Sequence, residues 1–383
     1  MVYLDAASTA KYSVIDDVII NTITTAMRDS WMNPSSLYAS NTKEKINKCR
    51  ANVAEFIGAQ SDEIYFTSGA SESNNWAIRG WVDDVANDLL RTNIITTSIE
   101  HKSILSAVQS DVLYVCVHYC EVDKFGLVNL ESLEHLLCVH EYEPTLVSVN
   151  MANNEIGTIQ NIKEISDLVH KYDGILHVDA TQAFGHIPIN VEELGVDMLS
   201  ASGHKLSPVL RGIGFLYIKN GINIRPLIYG VQESQMRGGT ENTYGIIGMN
   251  KALEYCDANF GYEAISELCE KRDHFIALLE SKFGCKLNGH GKYRLPNNVN
   301  VTFPQNITGE SMLYMLDISG IKIATGSACN SHTVEPSHVL KSIGLSNEEA
   351  MKTVRFTLPN DITYKEIDYV IEEIGKAIKI IEA

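Results

Sequence analysis

Near the start of this chain, apolar residues recur with the period of a helix. In residues 14–30 they return at every third or fourth position, and residues 42–58 repeat that spacing. This spacing places apolar side chains on one face of an α-helix. Both segments are therefore predicted to be helices.

Short apolar runs with strand-like length follow these helices. Helix-length segments such as residues 163–172 separate several of them. Strands that are apolar at almost every position are typical of parallel sheets covered on both faces. The pattern predicts an α/β layer with a mainly parallel sheet. Its strands are expected at residues 93–97, 112–117, 145–150, 175–179, 198–201 and 214–218.

After about residue 255 the pattern changes to that of a smaller α+β domain. A long helix over residues 262–283 precedes two alternating strands, and a last helix opens with the capping box Thr363-x-x-Glu366. We therefore expect a large domain over residues 1–255 and a small domain over residues 256–383. Residues 1–13 are expected to pack on the small domain.

Composition excludes several classes of function. The formal net charge is −17, whereas binding to a nucleic-acid backbone requires clustered Lys and Arg. No apolar run approaches the roughly 20 residues that a membrane helix needs. We therefore expect neither nucleic-acid binding nor membrane insertion.

The eight cysteines are scattered, without a C-x-x-C pair. This distribution predicts neither a metal site nor a disulfide framework, and it favours reduced thiols in the cytoplasm. The first residues lack the basic and apolar stretches of a secretory signal.

Polar clusters stand at the ends of several predicted strands, where open α/β sheets bind ligands. Residues 66–74 form a small-residue turn that opens a helix and suits a phosphate, although an ordinary helix cap has the same composition. Residues 153–157 follow another strand, and the simplest interpretation is a turn.

Asp179 and Lys205 end two of these strands and lie one strand–helix unit apart. A buried Asp needs a partner such as a protonated pyridine nitrogen, an Arg or a helix cap. A desolvated Lys can form a Schiff base, although most lysines at strand ends reach solvent. An Asp, a Lys and a phosphate cradle together are the set that binds pyridoxal phosphate (PLP).

With these residues, the chain resembles the NifS/IscS-type cysteine desulfurases, which are class V aminotransferase-like enzymes of PLP fold type I. The motifs recur in the family's order from residue 3 to residue 358. They are YLDAAST, NPSSLY, FTSGASESNN, EHKSIL, NNEIGTIQ, HVDATQAFG, SGHK, GIGFLYI, MRGGTEN, GSACNS, EPSHVL and VRFTL. The resemblance implies a large domain with a mainly parallel seven-stranded sheet, a smaller α+β domain and a homodimer.

The resemblance also implies roles for individual residues. Lys205 is expected to bind PLP covalently, Asp179 to keep its ring nitrogen protonated, and His101 to stack on the ring and act in acid–base catalysis. Arg355, helped by Asn33, is expected to bind the substrate carboxylate. The remaining cofactor contacts are expected from Ala70, Ser71, Asn154, Gln182, Ser202, His204 and, across the dimer, Thr240.

Cys329 is predicted to be the nucleophile. It lies among small and polar residues in TGSACNS, a composition typical of a mobile, exposed loop rather than of a buried thiol. The resemblance implies that its thiolate takes sulfur from L-cysteine as a persulfide, leaves L-alanine, and delivers the sulfur to an acceptor protein.

Some segments depart from the family pattern. The segment after Lys205, residues 206–212, is one residue longer than usual, and Pro359-Asn360 replaces a common Gly-Arg pair. Alternatives are a selenocysteine lyase, another class V PLP enzyme such as a sulfinate desulfinase or an aminotransferase, and a scaffold without activity. Iron–sulfur assembly, tRNA thiolation and DNA phosphorothioation all remain possible destinations of the sulfur.

Overall fold

The computed structural model describes residues 1–85, 91–109, 115–259, 261–325, 327–330 and 333–382. Within these ranges only the backbone is described for residues 258–259, 327–330 and 333–334. No helix of the described part is long and apolar enough to cross a membrane.

Helices and strands alternate as the hydrophobic pattern predicts. The helices are α1 (Val14–Asp29), α2 (Ser40–Ile57), α3 (Ala70–Val85), α4 (Lys102–Val108), α5 (Leu130–Val139), α6 (Ile162–Lys171), α7 (Val191–Leu194), α8 (Thr243–Asn259), α9 (Tyr262–Phe283), α10 (Gly309–Ile318), α11 (His338–Ser342), α12 (Asn347–Met351) and α13 (Tyr364–Ile381). The strands are β1 (Val2–Tyr3), β2 (Ile64–Thr67), β3 (Thr92–Thr97), β4 (Val115–Cys120), β5 (Thr145–Asn150), β6 (Ile175–Asp179), β7 (Met198–Ser202), β8 (Gly214–Ile218), β9 (Lys286–Leu287), β10 (Asn298–Thr302), β11 (Ile321–Lys322), β12 (Ala324–Thr325), β13 (Ser327–Asn330), β14 (Thr333–Pro336) and β15 (Thr353–Thr357).

The main sheet has seven strands in the order β2-β8-β7-β6-β5-β3-β4. All neighbours pair in parallel except those of β8, which is antiparallel to both β2 and β7. The predicted mainly parallel α/β sheet is therefore confirmed. Among its strands, β4 continues to Cys120, three residues past the predicted end at residue 117.

Both faces of this sheet are buried, which explains why its strands are apolar at consecutive positions. Ile95 and Val147 pack in one core cluster with α1, α2 and α8. Their chain neighbours Ile94 and Leu146 pack in another cluster with Trp76 of α3. Successive strand residues point to opposite faces, so helices on both sides favour apolar residues at consecutive positions.

A second sheet, of four strands in the order β12-β15-β10-β9, has its own core against α9 and α13. Val2 and Leu4 belong to this core, and β1 pairs with β11. The predicted capping box of α13 is present at Thr363 and Glu366. Helix α8 continues through residue 255 to Asn259, and the division into domains there stays a prediction.

A strained turn near the start of α8 is anchored by a buried ion pair. Glu233, Ser234 and Gln235 have φ values of 45°, 57° and 69°, in the left-handed region that side chains with a Cβ disfavour. The Glu233 carboxylate accepts two bonds from Arg50, at 2.6 and 2.7 Å, and one from the Phe66 amide at 2.9 Å. These bonds hold the turn against the sheet.

We expect Arg50→Ala to lower the free energy of unfolding by about 3–5 kcal/mol, because it leaves the Glu233 carboxylate buried without its cation. Urea unfolding would measure the change. The exposed pair Lys251–Glu254 is the control, since loss of an exposed ion pair costs at most about 1 kcal/mol. An Arg50→Ala cost no larger than that of Lys251→Ala would contradict the expectation.

Candidate active site

The carboxyl ends of the parallel strands bring two predicted functional groups together. Strand β6 ends at Asp179, which is in register with Ser200 of the neighbouring β7. Lys205 follows in the short helical turn after β7. Asp179 and Lys205 line the same cavity, which has a volume of about 520 Å³.

Ten of the predicted site residues line this cavity. They are Ala70, Ser71, His101, Asn154, Asp179, Gln182, Ser202, His204, Lys205 and Arg355. The described lining does not include Asn33 or Thr240.

Asp179 is buried and held by donors on two elements. One carboxylate oxygen accepts from Asn74 Nδ2 of α3 at 2.8 Å. The other accepts from the Thr181 amide at 2.9 Å and from the Thr181 hydroxyl. These three donors fix the orientation of the carboxylate at the cavity wall.

Lys205 combines burial with a fixed position. Burial lowers the pKa of its amine to about 8, with a smaller contribution in the same direction from Arg355. Its Nζ donates to the carbonyl oxygens of Ala7 at 2.6 Å and Ser8 at 3.0 Å. Gln182 Nε2 donates to the same Ala7 oxygen at 3.0 Å. The N-terminal segment therefore positions two predicted site residues.

His101 caps the start of α4, where its Nδ1 accepts from the Ser103 amide at 3.1 Å. Burial lowers the pKa of the His101 imidazole, and the positive charge of Lys205 adds to this effect. The accepting Nδ1 leaves Nε2 to carry the proton of the neutral ring. A neutral imidazole of this kind can exchange protons with a bound substrate.

The part of the cavity formed by the start of α3 and the end of β7 is suited to an anion. Helix α3 begins at Ala70, directly after Gly69, and a helix N-terminus presents free amides to anionic groups. The Ser202 hydroxyl lies 2.8 Å from His204 Nδ1, and burial lowers the pKa of His204 to about 4. A Cβ on Gly214 would come 2.6 Å from the Gly69 Cα, so the close approach of β8 to this turn requires glycine.

Arg355 lies at the rim on β15. Its guanidinium donates to the Asn154 carbonyl at 3.0 Å, to the Asp5 carboxylate at 2.6 Å and to the Ser8 hydroxyl at 3.0 Å. Its Nε is buried and has no hydrogen-bond partner among the described residues.

Two predicted residues lie elsewhere in the subunit. Asn33 is exposed, and its side chain accepts from the Ser35 amide at 2.9 Å. Thr240 is also exposed and lines a separate, smaller cavity that shares only Ser68 with the main one. Their roles stay predictions.

The backbone around Cys329 forms a hairpin, where the sequence analysis expects a loop. Strand β13 pairs antiparallel with β14, with Cys329 opposite Val334. Backbone hydrogen bonds between strands can form between small and polar residues as well as between apolar ones. Composition alone therefore did not reveal these strands and predicted a loop. The Cys329 side chain lies outside the described residues, and mobility of the segment stays a prediction.

Sequence reasoning missed several polar residues of this site. Glu100 is fully buried beside His101, and burial raises its pKa to about 8. Its Oε1 accepts from the Thr97 hydroxyl at 2.7 Å and from Asn150 Nδ2 at 2.8 Å. Asn150 could have been found from the sequence, because it ends strand β5 just as Asp179 ends β6.

Comparison with known proteins identifies the family. The sequence matches the aminotransferase class-V family over residues 2–370. The cysteine desulfurase IscS of Dictyoglomus turgidum is 41% identical over 383 residues, covering 99% of this chain and 94% of that protein. The chain belongs to the class-V aminotransferase family, among the NifS/IscS-type cysteine desulfurases.

Solved structures of this family agree with the fold. A NifS-like protein superposes with a TM-score of 0.89 at 33% identity, covering 99% of each chain. The structure of SspA in complex with cysteine has a TM-score of 0.80 at 32% identity, covering 94% of this chain and 99% of that one. The predicted fold type I architecture and family are confirmed.

This family implies PLP as the cofactor, and the cavity fits that group. The donor-held carboxylate of Asp179 suits a protonated pyridine nitrogen, and the amine of Lys205 suits an aldehyde. Ala70, Ser71, Ser202 and His204 suit a phosphate.

We expect the buried amine of Lys205 to make the stability of cofactor-depleted protein depend on pH. The folded-state pKa of about 8 lies below the ordinary 10.5, so the folded state binds fewer protons between these values. The penalty for burying the charged amine is full below pH 8 and is relieved as pH rises toward 10.5.

The measurement is urea unfolding of the original protein and of Lys205→Met at pH 7.5 and pH 10. The variant should be the more stable at pH 7.5 by roughly 1–3 kcal/mol, and this advantage should shrink at pH 10. Lys251→Met, which removes an exposed lysine, is the control. An advantage that does not change with pH would show that the amine is not titrating in this range.

Proposed function

We propose that this protein takes sulfur from L-cysteine onto the thiol of Cys329, releases L-alanine, and passes the sulfur to an acceptor protein. The single observation that carries the proposal is the convergence of Lys205, Asp179, His101 and Arg355 on one cavity. Support for the substrate comes from SspA, which was solved in complex with cysteine.

When bound, pyridoxal phosphate supplies an electron sink that stabilises negative charge at the substrate Cα. We assign its nitrogen to Asp179 and its aldehyde to Lys205. Gln182 and Asn154 are proposed to contact the ring, and Ala70, Ser71, Ser202 and His204 the phosphate. Arg355 binds the substrate carboxylate, for which a planar guanidinium is well shaped, with help from Asn33.

The protein groups then move protons and sulfur. Lys205 Nζ takes the Cα proton of the bound cysteine, a role that its lowered pKa supports. The Cys329 thiolate attacks the substrate Sγ, so an S–S bond forms while the Cβ–Sγ bond breaks. The substrate Cβ takes up a proton from His101 to become the methyl group of alanine, and Lys205 returns the proton to Cα. Cysteine and a thiol thus yield alanine and a persulfide, with no other reactant.

An aminotransferase is the alternative that the shared scaffold leaves open, because the cofactor site alone does not require Cys329. Selenocysteine lyase and sulfinate desulfinase chemistry would likewise use the same Lys and Asp. The several relatives that are cysteine desulfurases at about 40% identity favour cysteine as the substrate.

We expect Cys329→Ser to abolish persulfide formation and to reduce alanine release at least 100-fold, because a hydroxyl does not replace the thiolate as nucleophile. The measurement is ³⁵S transferred from labelled cysteine to protein, with alanine quantified in parallel and the cofactor absorbance as a check on folding. Cys138→Ser is the matched control, since Cys138 is a free, exposed cysteine. Undiminished alanine release from Cys329→Ser would contradict the role of Cys329 and favour another class V reaction that breaks the Cβ–S bond without a protein thiol.

The proposed assembly is a homodimer in the cytoplasm, in which Thr240 contacts the cofactor phosphate of the partner subunit. The exposure of Thr240, and its distance from the main cavity of its own subunit, support an action in the partner. The IscS names of the relatives favour iron–sulfur assembly as the destination of the sulfur.

Mixed dimers test this assignment. A dimer of one Lys205→Ala subunit and one Thr240→Ala subunit should regain about half of the original activity, because the intact Lys205 would then face an intact Thr240. A dimer with both changes in one subunit should show only the activity of the Thr240→Ala homodimer, or less. The reverse result would place Thr240 in the site of its own subunit, and a monomer in sedimentation equilibrium would remove the proposal.

A further inference from the structure

The turn at residues 153–157 is held by more hydrogen bonds than a turn between two strands or helices needs. Asn153 Oδ1 accepts from the amides of Glu155 and Ile156 at 2.9 and 3.0 Å, and Asn153 Nδ2 donates to the Ile99 carbonyl at 2.9 Å. Asn153 is 1% exposed. These bonds hold the turn in place, and its residue Asn154 lines the cavity.

The same turn is fixed to the sheet that carries Arg355. The Glu155 carbonyl accepts from Asn298 Nδ2 at 3.0 Å and from Asn300 Nδ2 at 3.1 Å. Asn300 is in register with Arg355 on the adjacent strand. A Cβ on Gly157, whose φ is +72°, would come 2.5 Å from the Asn298 side chain. Because the approach is this close, the turn cannot shift against β10 without breaking several bonds.

The Glu155 side chain extends in another direction, toward the end of the Cys329 hairpin. Strand β14 ends at Pro336, and the hydroxyl of the next residue, Ser337, donates to the Glu155 carboxylate. The same hydroxyl accepts from the Val339 and Leu340 amides at 3.1 and 3.4 Å, so it also caps α11. Ser337 is 5% exposed.

A second bond fastens this end of the hairpin. His338 Nε2 donates to the Glu100 carbonyl at 2.9 Å, and Glu100 precedes His101 in the cavity wall. Both residues that follow β14 are thus bonded to residues next to the cavity-lining Asn154 and His101.

The other end of the hairpin is tied to the same place. Strand β12 pairs with β15, and Ala324 is in register with Arg355. Cys329 is opposite Val334, and Ser337 lies three residues beyond that position, a span of about 10 Å in an extended strand. Both ends of the segment that carries Cys329 are therefore fixed relative to the guanidinium of Arg355.

We propose that Glu155 and Ser337 are positioning residues that set the distance between Cys329 and a substrate held by Arg355. This inference rests on the proposed function, because it takes Cys329 as the sulfur acceptor. Sulfur transfer requires the thiolate to reach the substrate Sγ in line with the breaking bond. A displacement of about 1 Å can slow such a step roughly 100-fold.

The test uses the PLP-loaded enzyme with changes on both sides of the contact. Ser337→Ala and Glu155→Ala should each slow single-turnover persulfide formation on Cys329 about 10- to 100-fold. The cysteine concentration for half-maximal change in cofactor absorbance should stay within about twofold, because Arg355 and the cavity are intact. The double variant should be no slower than either single variant, since both remove one interaction.

Three further variants separate positioning from general stability. Ser346→Ala removes a capping hydroxyl of the same kind, which accepts from the Glu349 amide at 3.2 Å on the nearby α12, and should leave the rate unchanged. Glu155→Gln keeps an oxygen that can accept from Ser337, and Ser337→Thr keeps the hydroxyl. Both should retain most of the original rate even if Ser337→Ala folds poorly.

A readout without turnover is the alkylation rate of Cys329 by iodoacetamide in the absence of cysteine. We expect it to change at least threefold in Ser337→Ala and Glu155→Ala and not in Ser346→Ala. Equal effects of Ser337→Ala and Ser346→Ala, or a Glu155→Gln variant as slow as Glu155→Ala, would overturn the proposal. If labelled sulfur is found on another residue of the original enzyme, the proposed function fails, and the alkylation rates still decide whether the contact positions Cys329.

Discussion

The structure depends on the burial of a carboxylate and an amine in one cavity at the carboxyl edge of a parallel sheet. Asp179 and Lys205 both lie within a low-dielectric wall, where an isolated charge is costly. Asp179 is compensated by three donors from Asn74 and Thr181. Lys205 donates to two carbonyl oxygens, and burial lowers the pKa of its amine to about 8. The cavity therefore holds an amine that can lose its proton near neutral pH together with a carboxylate fixed by three donors.

The two sheets divide the chemistry between them. The parallel sheet holds the groups that suit the cofactor, and the small antiparallel sheet brings Arg355 and, through β12, the strand that leads to Cys329. The N-terminal segment connects the two, because the carbonyls of Ala7 and Ser8 accept from Lys205 while the Ser8 hydroxyl accepts from Arg355. The N-terminal segment thus links Lys205 of the main sheet to Arg355 of the second sheet.

The contact between Glu155 and Ser337 extends this arrangement to the sulfur acceptor. A thiol that takes sulfur at the cavity and delivers it to another protein must lie on a segment that can leave the site. Such a segment needs fixed ends if its middle is to return to one place. Bonds at Ala324, Ser337 and His338 supply these ends.

The sequence by itself determined the fold class, the strands that end at the cavity and the presence of Asp179 and Lys205 at the same edge of the sheet. These features follow from local periodicity and from the rule that carboxyl ends of parallel strands share one edge. Only the tertiary structure decided that Asp5 and Ser8 bind Arg355, that Glu100 lies buried beside His101, and that Glu155 meets Ser337. These contacts join residues up to 350 positions apart, and no local pattern records which distant hydroxyl a carboxylate will accept from.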